Sequence, residues 1–365
     1  MRWVLALVLL GVSVRARADD ATVKLGGYLE IYDAWNAGQP ASGVTNLRGL
    51  DDRAGSFTVQ NAVLDADFTR GPLTARIALQ VGDGADLYYR HEPALPPAGT
   101  APPSGDTAWR NLQEAWLTYT TPCKLAISAG LLLSPIGPEV LQTRDDWNWS
   151  RSDLFVALPI YHAGVRAVLP LRDSGWSATA MVSNGWNNNV DSNRDPALAL
   201  AAGYTAGGWL AQVLYFGGIE RQDVWRHLGD AYVQTKLTDA LTVMAHADAG
   251  AERDMPGTVW WIGGAGYARY DLPHRIDVAA RIDYLRETVP AGASAIVLPV
   301  AWVTSATATA AWRPIDGLDL RIEVRHDRAA SEAYYGGAIE TDPTGAPIAN
   351  RRAQTTLTAA AVGWF

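Results

Sequence analysis

Between residues 134 and 160 the sequence gathers Glu139, Arg144, Asp145, Asp146 and Arg151 beside Trp147 and Trp149. Carboxylates and guanidiniums facing one another across a narrow gap create a transverse field that orders water and filters solutes, which is transport chemistry and breaks no bond. Hydrolytic chemistry has less to stand on. The histidines, His91, His162, His227, His246, His274 and His326, occupy no G-x-S-x-G or H-x-S setting, and the neighbours His326 and Asp327 would point to opposite faces of a strand. The run 191–195 superficially resembles a calcium loop but lacks its glycine and distal glutamate, so it reads as a surface turn. The single cysteine, Cys123, excludes a disulfide framework and any multi-cysteine metal site. No enzyme activity, cofactor or metal is expected.

The elements that must position these residues follow from composition and period. The chain has 365 residues, 48% hydrophobic and 19% charged, a composition that argues against disorder. Its 30 Lys+Arg against 38 Asp+Glu argue against nucleic acid as the main partner. Arg2, the apolar stretch 3–14 and the A-x-A run Ala16-Arg17-Ala18 read as a signal peptide over residues 1–18, leaving residues 19–365 as the mature chain. Beyond it no apolar run approaches the roughly 18 to 20 residues that a spanning helix needs. An exported chain without such a helix is either soluble or a β-barrel.

The dominant period is two. From Arg275 to Tyr284 one parity reads Arg275, Asp277, Ala279, Arg281, Asp283 and the other Ile276, Val278, Ala280, Ile282, Tyr284. Residues 318–327 and 241–249 repeat the split. Sixteen strands are predicted, at 22–34, 57–69, 74–83, 109–119, 125–133, 161–171, 176–184, 198–206, 209–217, 230–237, 241–250, 258–270, 274–285, 304–312, 318–327 and 355–365. Tight turns, such as Gly71-Pro72 and Gly207-Gly208, are expected to alternate strictly with longer connections, among them 84–108, 134–160, 185–197, 218–229, 286–303 and 328–354. Short turns at one rim and long loops at the other are the anatomy of an all-β, 16-stranded antiparallel up-and-down transmembrane barrel, with periplasmic turns and extracellular loops.

Aromatic residues fall near the predicted strand ends: Phe68, Tyr119, Trp176, Tyr204, Trp209, Tyr270, Trp312 and Trp364 by the turns, and Trp35, Trp109, Tyr161, Tyr215, Trp260 and Tyr284 by the loops. These would form two girdles at the membrane boundaries. With an even strand number the first strand can pair with the last. The alternating last strand ends in Phe365, which resembles the signal by which barrel assembly machinery recognises its substrates.

If the apolar parity faces lipid, the charged parity lines the lumen. Its basic members are Lys24, Arg76, Arg166, Lys236, Arg269, Arg275, Arg281, Arg321 and Arg325. Its acidic members are Glu30, Asp65, Asp67, Glu114, Asp230, Asp248, Asp277, Asp283, Asp319, Glu323 and Asp327. So mixed a lining implies a wet lumen with a weak preference for cations. Tyr28, Tyr32, Trp116, Tyr232 and Trp261 share the inward parity, and a continuous aromatic track would make the channel substrate-selective.

The run from Gly130 through Gly137-Pro138-Glu139, then Ser150-Arg151-Ser152, residues 159–166 and Asn184-Gly185-Trp186-Asn187 resembles the putative β-barrel porin-2, OmpL-like family of Gram-negative outer membranes. The resemblance implies a porin-like channel and supplies no substrate. It makes Glu139, Arg151, His162 and Arg166 the first candidates for a constriction and the wall facing it. With Arg144, Asp145, Asp146, Arg76, Glu114, Arg281 and Arg325 they form the expected pore lining, with loop 134–160 as the constriction.

The function expected is passive diffusion of small hydrophilic solutes and ions across the outer membrane. The alternative is a structural or adhesion barrel with a sealed lumen, acting through its loops. Expected partners are outer-membrane lipid and lipopolysaccharide, the assembly machinery, and the solutes. Small outward residues such as Ala306, Ala308 and Ala310 suit a homotrimer interface or plain lipid contact, and oligomeric state stays open.

Overall fold

The structure, a computed structural model, describes residues 16–18, 21–89, 92, 108–191, 193–221, 224–254 and 256–365. Its barrel strands are β1 (Ala21–Asn36), β2 (Thr58–Arg70), β3 (Leu73–Val81), β4 (Leu112–Thr120), β5 (Ala126–Leu133), β6 (Tyr161–Pro170), β7 (Trp176–Ser183), β8 (Ala197–Ala206), β9 (Trp209–Arg221), β10 (Val224–Lys236), β11 (Leu241–Asp254), β12 (Gly257–Leu272), β13 (Ile276–Thr288), β14 (Trp302–Trp312), β15 (Leu318–Ala329) and β16 (Ala353–Trp364). Each pairs antiparallel with the next. The last returns to the first, from Thr356 opposite Asn36 to Trp364 opposite Tyr28, so the sheet closes into a 16-stranded barrel and keeps no free edge. A short extension, Ala16–Ala18, pairs with Ala21–Val23, and the rest of the expected leader lies outside the described residues.

The period-two pattern is realised inside out relative to a soluble sheet. On β13, Asp277, Arg281 and Asp283 are buried, whereas Val278, Ile282 and Tyr284 are exposed on the outer face. β15 repeats the arrangement, with Asp319, Arg321, Glu323, Arg325 and Asp327 inward and Ile322 and Val324 outward. Such a surface is stable only against lipid, where the apolar parity needs no water and closure leaves no backbone group unpaired. The glycine pair Gly207-Gly208 makes a two-residue turn between β8 and β9: both φ angles are positive, 59° and 83°, as a type I′ hairpin requires.

Several expectations are corrected. The long connection at 218–229 is absent, because β9 and β10 stay paired out to Arg221 opposite Val224 and β10 begins six residues earlier than predicted. Gly218 opened the expected loop, but Trp225 and His227 (outward) and Arg226 and Leu228 (inward) carry the alternation on. β11 and β12 likewise pair to Asp254 opposite Gly257, so long loops do not alternate strictly with short turns. Residues 84–108 open with a helix, α1 (Asp83–Tyr89), whose Tyr88 and Tyr89 pack on Tyr161 at 4.8 and 5.0 Å between ring centroids; residues 90, 91 and 93–107 lie outside the described ones.

Tyr161 is therefore buried and leaves the expected girdle. Trp364 leaves it too, because the even parity of β16 faces inward and places its ring under Arg144. The side chain of Trp109 lies outside the described residues. Tyr119, Trp176, Trp209, Tyr270 and Trp312 at the turn rim, and Trp35, Tyr215, Trp260 and Tyr284 at the loop rim, are outward and exposed as expected, and Trp225 joins them.

Arg275 does not line the lumen. It sits in the turn before β13 and pairs with Asp316 at 2.8 Å. The barrel is also uneven in height: β5, β6 and β7 have 8, 10 and 8 residues, whereas β9 to β12 have 13, 13, 14 and 16.

Candidate functional site

The connection from β5 to β6, residues 134–160, turns into the lumen and reaches the far wall. Its partners there stand on β13, β14 and β15, six to eight strands from β5 in a ring of sixteen. A loop can cross a lumen only if its backbone polar groups are satisfied within it. The sequence supplies those partners as inward charges. Glu323 accepts the N–H groups of Trp149 and Ser150 at 2.6 and 3.1 Å. Arg281 donates to the carbonyls of Ser150 and Arg151 at 2.5 and 3.1 Å, Arg321 to that of Asn148 at 3.0 Å, and Arg325 to that of Arg151. Asn148 donates to Thr309 at 2.7 Å, and the Asp153 N–H to Asp283 at 3.0 Å.

Two more carboxylates hold the loop to the side walls. Glu30 on β1 accepts the Thr143 N–H at 2.7 Å, and Asp230 on β10 accepts the Gly137 N–H at 3.2 Å while its other oxygen meets His246 Nε2 at 2.6 Å. A hydrogen bond to a charged group contributes about 1.5–3 kcal/mol, and one left unmade in such a site costs as much or more.

The candidate residues divide by role. Arg151 is buried inside the loop, where it donates to the carbonyls of Val140, Leu141 and Trp149 at 2.9, 2.7 and 2.8 Å and pairs with Asp146 at 2.9 Å. Glu139 accepts from the Ser152 N–H at 3.0 Å and from Arg281 at 3.2 Å. Arg144 lies over the rings of Tyr28 and Trp364, 5.9 and 6.0 Å from their centroids, and Asp145 beside it is exposed. His162, fully buried at the loop's root, meets Ser134 Oγ at 3.2 Å and the Gly185 carbonyl at 3.3 Å. Arg166 donates to the Leu133 carbonyl at 3.2 Å. Arg76 and Glu114 form a separate wall cluster: Arg76 meets Asp65, Asp67 and Glu114 at 3.1, 3.0 and 3.2 Å. Arg281 and Arg325 belong to the far wall that grips the loop. Phe365 donates its N–H to the Gly27 carbonyl at 3.2 Å, at the seam between β16 and β1.

Burial raises the carboxyl of Asp146 to about 7, against the pull of Arg151. Asp153 is also raised by burial, with Asp283 beside it.

Sequence reasoning missed the first long connection, residues 37–57. It also enters the lumen: Arg48 donates to Thr356 at 2.6 Å and pairs with Asp327 at 3.4 Å, and burial raises the Asp51 carboxyl. The signal was available in the charged run Arg48 to Arg53, which a solvated loop does not require. Asp153, gripped by Arg325 at 2.6 Å, was missed in the same way.

Between the loop and the inner face of β9 to β12 an open space of about 300 Å³ remains in the turn-side half of the lumen. Glu139, Asp145, Asp146 and Trp147 border it from the loop, and Gln212, Tyr232, Gln234 and Tyr267 from the wall. The expected aromatic track is interrupted: Tyr32 is covered by Trp149 and Trp261 by Trp186, leaving Tyr232 on this space. Among the described residues no group of three or more His, Cys, Asp or Glu side chains could hold a metal ion.

Solved outer-membrane proteins share the fold. In its trimer form, OmpT, an outer membrane protein of Vibrio cholerae, is 10% identical with a TM-score of 0.63, the match covering 95% of this chain and 100% of that one. An anion-selective porin from Comamonas acidovorans is 12% identical with a TM-score of 0.58, covering 94% and 100%. The outer membrane channel DcaP of Acinetobacter baumannii is 13% identical with a TM-score of 0.58, covering 97% and 99%. No curated protein is detectably similar in sequence. Residues 22–365 match the family described as putative β-barrel porin-2, OmpL-like, and the chain belongs to that family of porin-like outer-membrane barrels.

Proposed function

We propose that this barrel is a passive channel for small hydrophilic solutes and ions, with residues 134–160 as its constriction and a weak preference for cations, and that it is not an enzyme. The observation that carries the reading is the space beside the loop. Three carboxylates border it, and among the described residues no basic side chain does. Water and small cations are the species such a lining favours. Export by a signal peptide over residues 1–18 fits the leader read in the sequence. Recognition of the last strand by the assembly machinery fits Phe365 at the seam, and lipopolysaccharide is the natural neighbour of the outer girdle. A trimer is supported by the trimer form of the Vibrio cholerae structural neighbour and by the concave outer face around Ala280, Ala308 and Ala310.

The test is single-channel conductance and reversal potential of refolded residues 19–365 in a planar bilayer under a salt gradient. Stable open steps with a reversal potential on the cation side are expected.

A second reading is favoured by one observation. Arg281, Arg325, Asp283 and Glu323 are at most 2% exposed, so the lumen near the far wall is filled. A sealed barrel acting through its loops would show no conductance when correctly folded.

A further inference from the structure

The space between the loop and β9 to β12 has a chemistry of its own, and the inference drawn from it rests on the channel reading above. Its wall is a contiguous inward patch: Gln212 lies opposite Tyr232, Gln234 opposite Met244, and Met244 opposite Tyr267 across neighbouring strands. The ring of Trp147, on the loop, meets Tyr267 edge-on at 6.4 Å between centroids. Aromatic faces and carboxylates thus border the same space from two sides.

The carboxylates keep their counter-ions on the far side. Arg281 and Arg151, which pair with Glu139 and Asp146, are 0% and 1% exposed at their side chains and do not border the space. Arg144, 3.6 Å from Asp145, lies over the rings of Tyr28 and Trp364 and does not border the space. A second observation points to a ligand: the side-chain oxygen of Gln212, on this wall, is buried and finds no hydrogen-bond partner. A buried amide oxygen usually has one.

We propose that this space is a binding station for organic cations, solutes that carry an ammonium, quaternary ammonium or guanidinium group on a small carbon skeleton, on their way through the lumen. The rings of Trp147, Tyr232 and Tyr267 hold the soft, weakly hydrated cation by its charge and apolar surface, which they do poorly for a hydrated metal cation. Asp145, Asp146 and Glu139 set the sign. Gln212 and Gln234 offer polar contacts to the solute's remaining groups. Its volume suits a solute of a few to a dozen non-hydrogen atoms.

The experiment measures bi-ionic reversal potentials of refolded residues 19–365 with K⁺ on one side and choline or agmatine on the other. Both probes diffuse more slowly in water than K⁺. A permeability equal to or above that of K⁺ supports the station, and an order that follows aqueous mobility overturns it. Tyr232→Leu is expected to lower the choline-to-K⁺ ratio about three- to tenfold, the size of one lost cation–π contact, and Tyr232→Phe to restore it. Asp145→Asn, at an exposed position, is expected to lower the ratio as well. Leu117→Ala, on the outer face, is expected to leave it unchanged. If Tyr232→Leu folds, by heat-modifiable migration, and keeps the wild-type ratio, the station is wrong. Absence of K⁺ conductance in the folded wild type would overturn the channel reading, and this inference with it.

Discussion

The Glu323 carboxylate accepts the Trp149 N–H at 2.6 Å, although the strand carrying Glu323 stands six places round the barrel from the strand that the loop leaves. One wall side chain thus fixes the middle of a loop whose ends are on the opposite side.

Replacing Glu323 with Ala leaves two buried N–H groups unmet, at about 1–3 kcal/mol each, while closure of the barrel is untouched. The loop should swing away from the far wall. Limited trypsin digestion is the check: the native loop resists, and the variant is cut after Arg144 and Arg151. Open-channel conductance rises in the same variant.

Arg151 tests whether geometry or charge holds the loop's own shape. Its planar fork serves three carbonyls and Asp146 together, a set that a lysine cannot match. Arg151→Lys should therefore behave nearly as badly as Arg151→Ala, for which breaking a buried pair costs roughly 3–5 kcal/mol. Hydrogen exchange of the loop amides should quicken in both, with the strand amides unaffected.

Asp146 gives a pH dependence whose sign follows from its raised carboxyl, about 7 in the folded chain against an ordinary 3.8. Between those values the folded state holds a proton that the unfolded state has released, so this group favours folding at lower pH and loses that contribution as pH rises toward 7. The carboxylate bordering the open space disappears over the same range on acidification. Cation preference, read from reversal potentials, should fall from pH 8 to pH 5, and Asp146→Asn should flatten the profile.

Phe365 tests assembly separately from stability. The residue is 45% exposed and its backbone N–H donates to the Gly27 carbonyl at the seam. Deleting it should lower the amount of barrel in the outer membrane, while the purified variant still refolds in detergent to a heat-modifiable form. Equal yields in the membrane would remove Phe365 from the assembly signal.

Strands were legible because lipid on one side and a polar lumen on the other force a strict two-residue period. The assignments at β13 and β15 rest on that alone. Where the period continued through a glycine, as at Gly218, local turn chemistry misled and pairing with the neighbouring strand prevailed. The loop's charges were legible as charges, but their partners were not, because Glu139 and Arg281 are 142 positions apart and only closure brings them together. Arg151 looked like a pore-facing cation and is instead internal to the loop, a distinction that depends on which carbonyls fold back on it.

The uneven strands carry a consequence for the surrounding bilayer. At about 3.4 Å per residue and a tilt near 45°, the 8 residues of β5 or β7 rise about 19 Å, less than the roughly 25 Å apolar band of such barrels, while the 16 of β12 rise about 38 Å. Lipid must thin along one flank and can relax along the other. The molecule thereby imposes a gradient of membrane thickness, and neighbouring barrels with short flanks would lower the elastic cost by meeting it there.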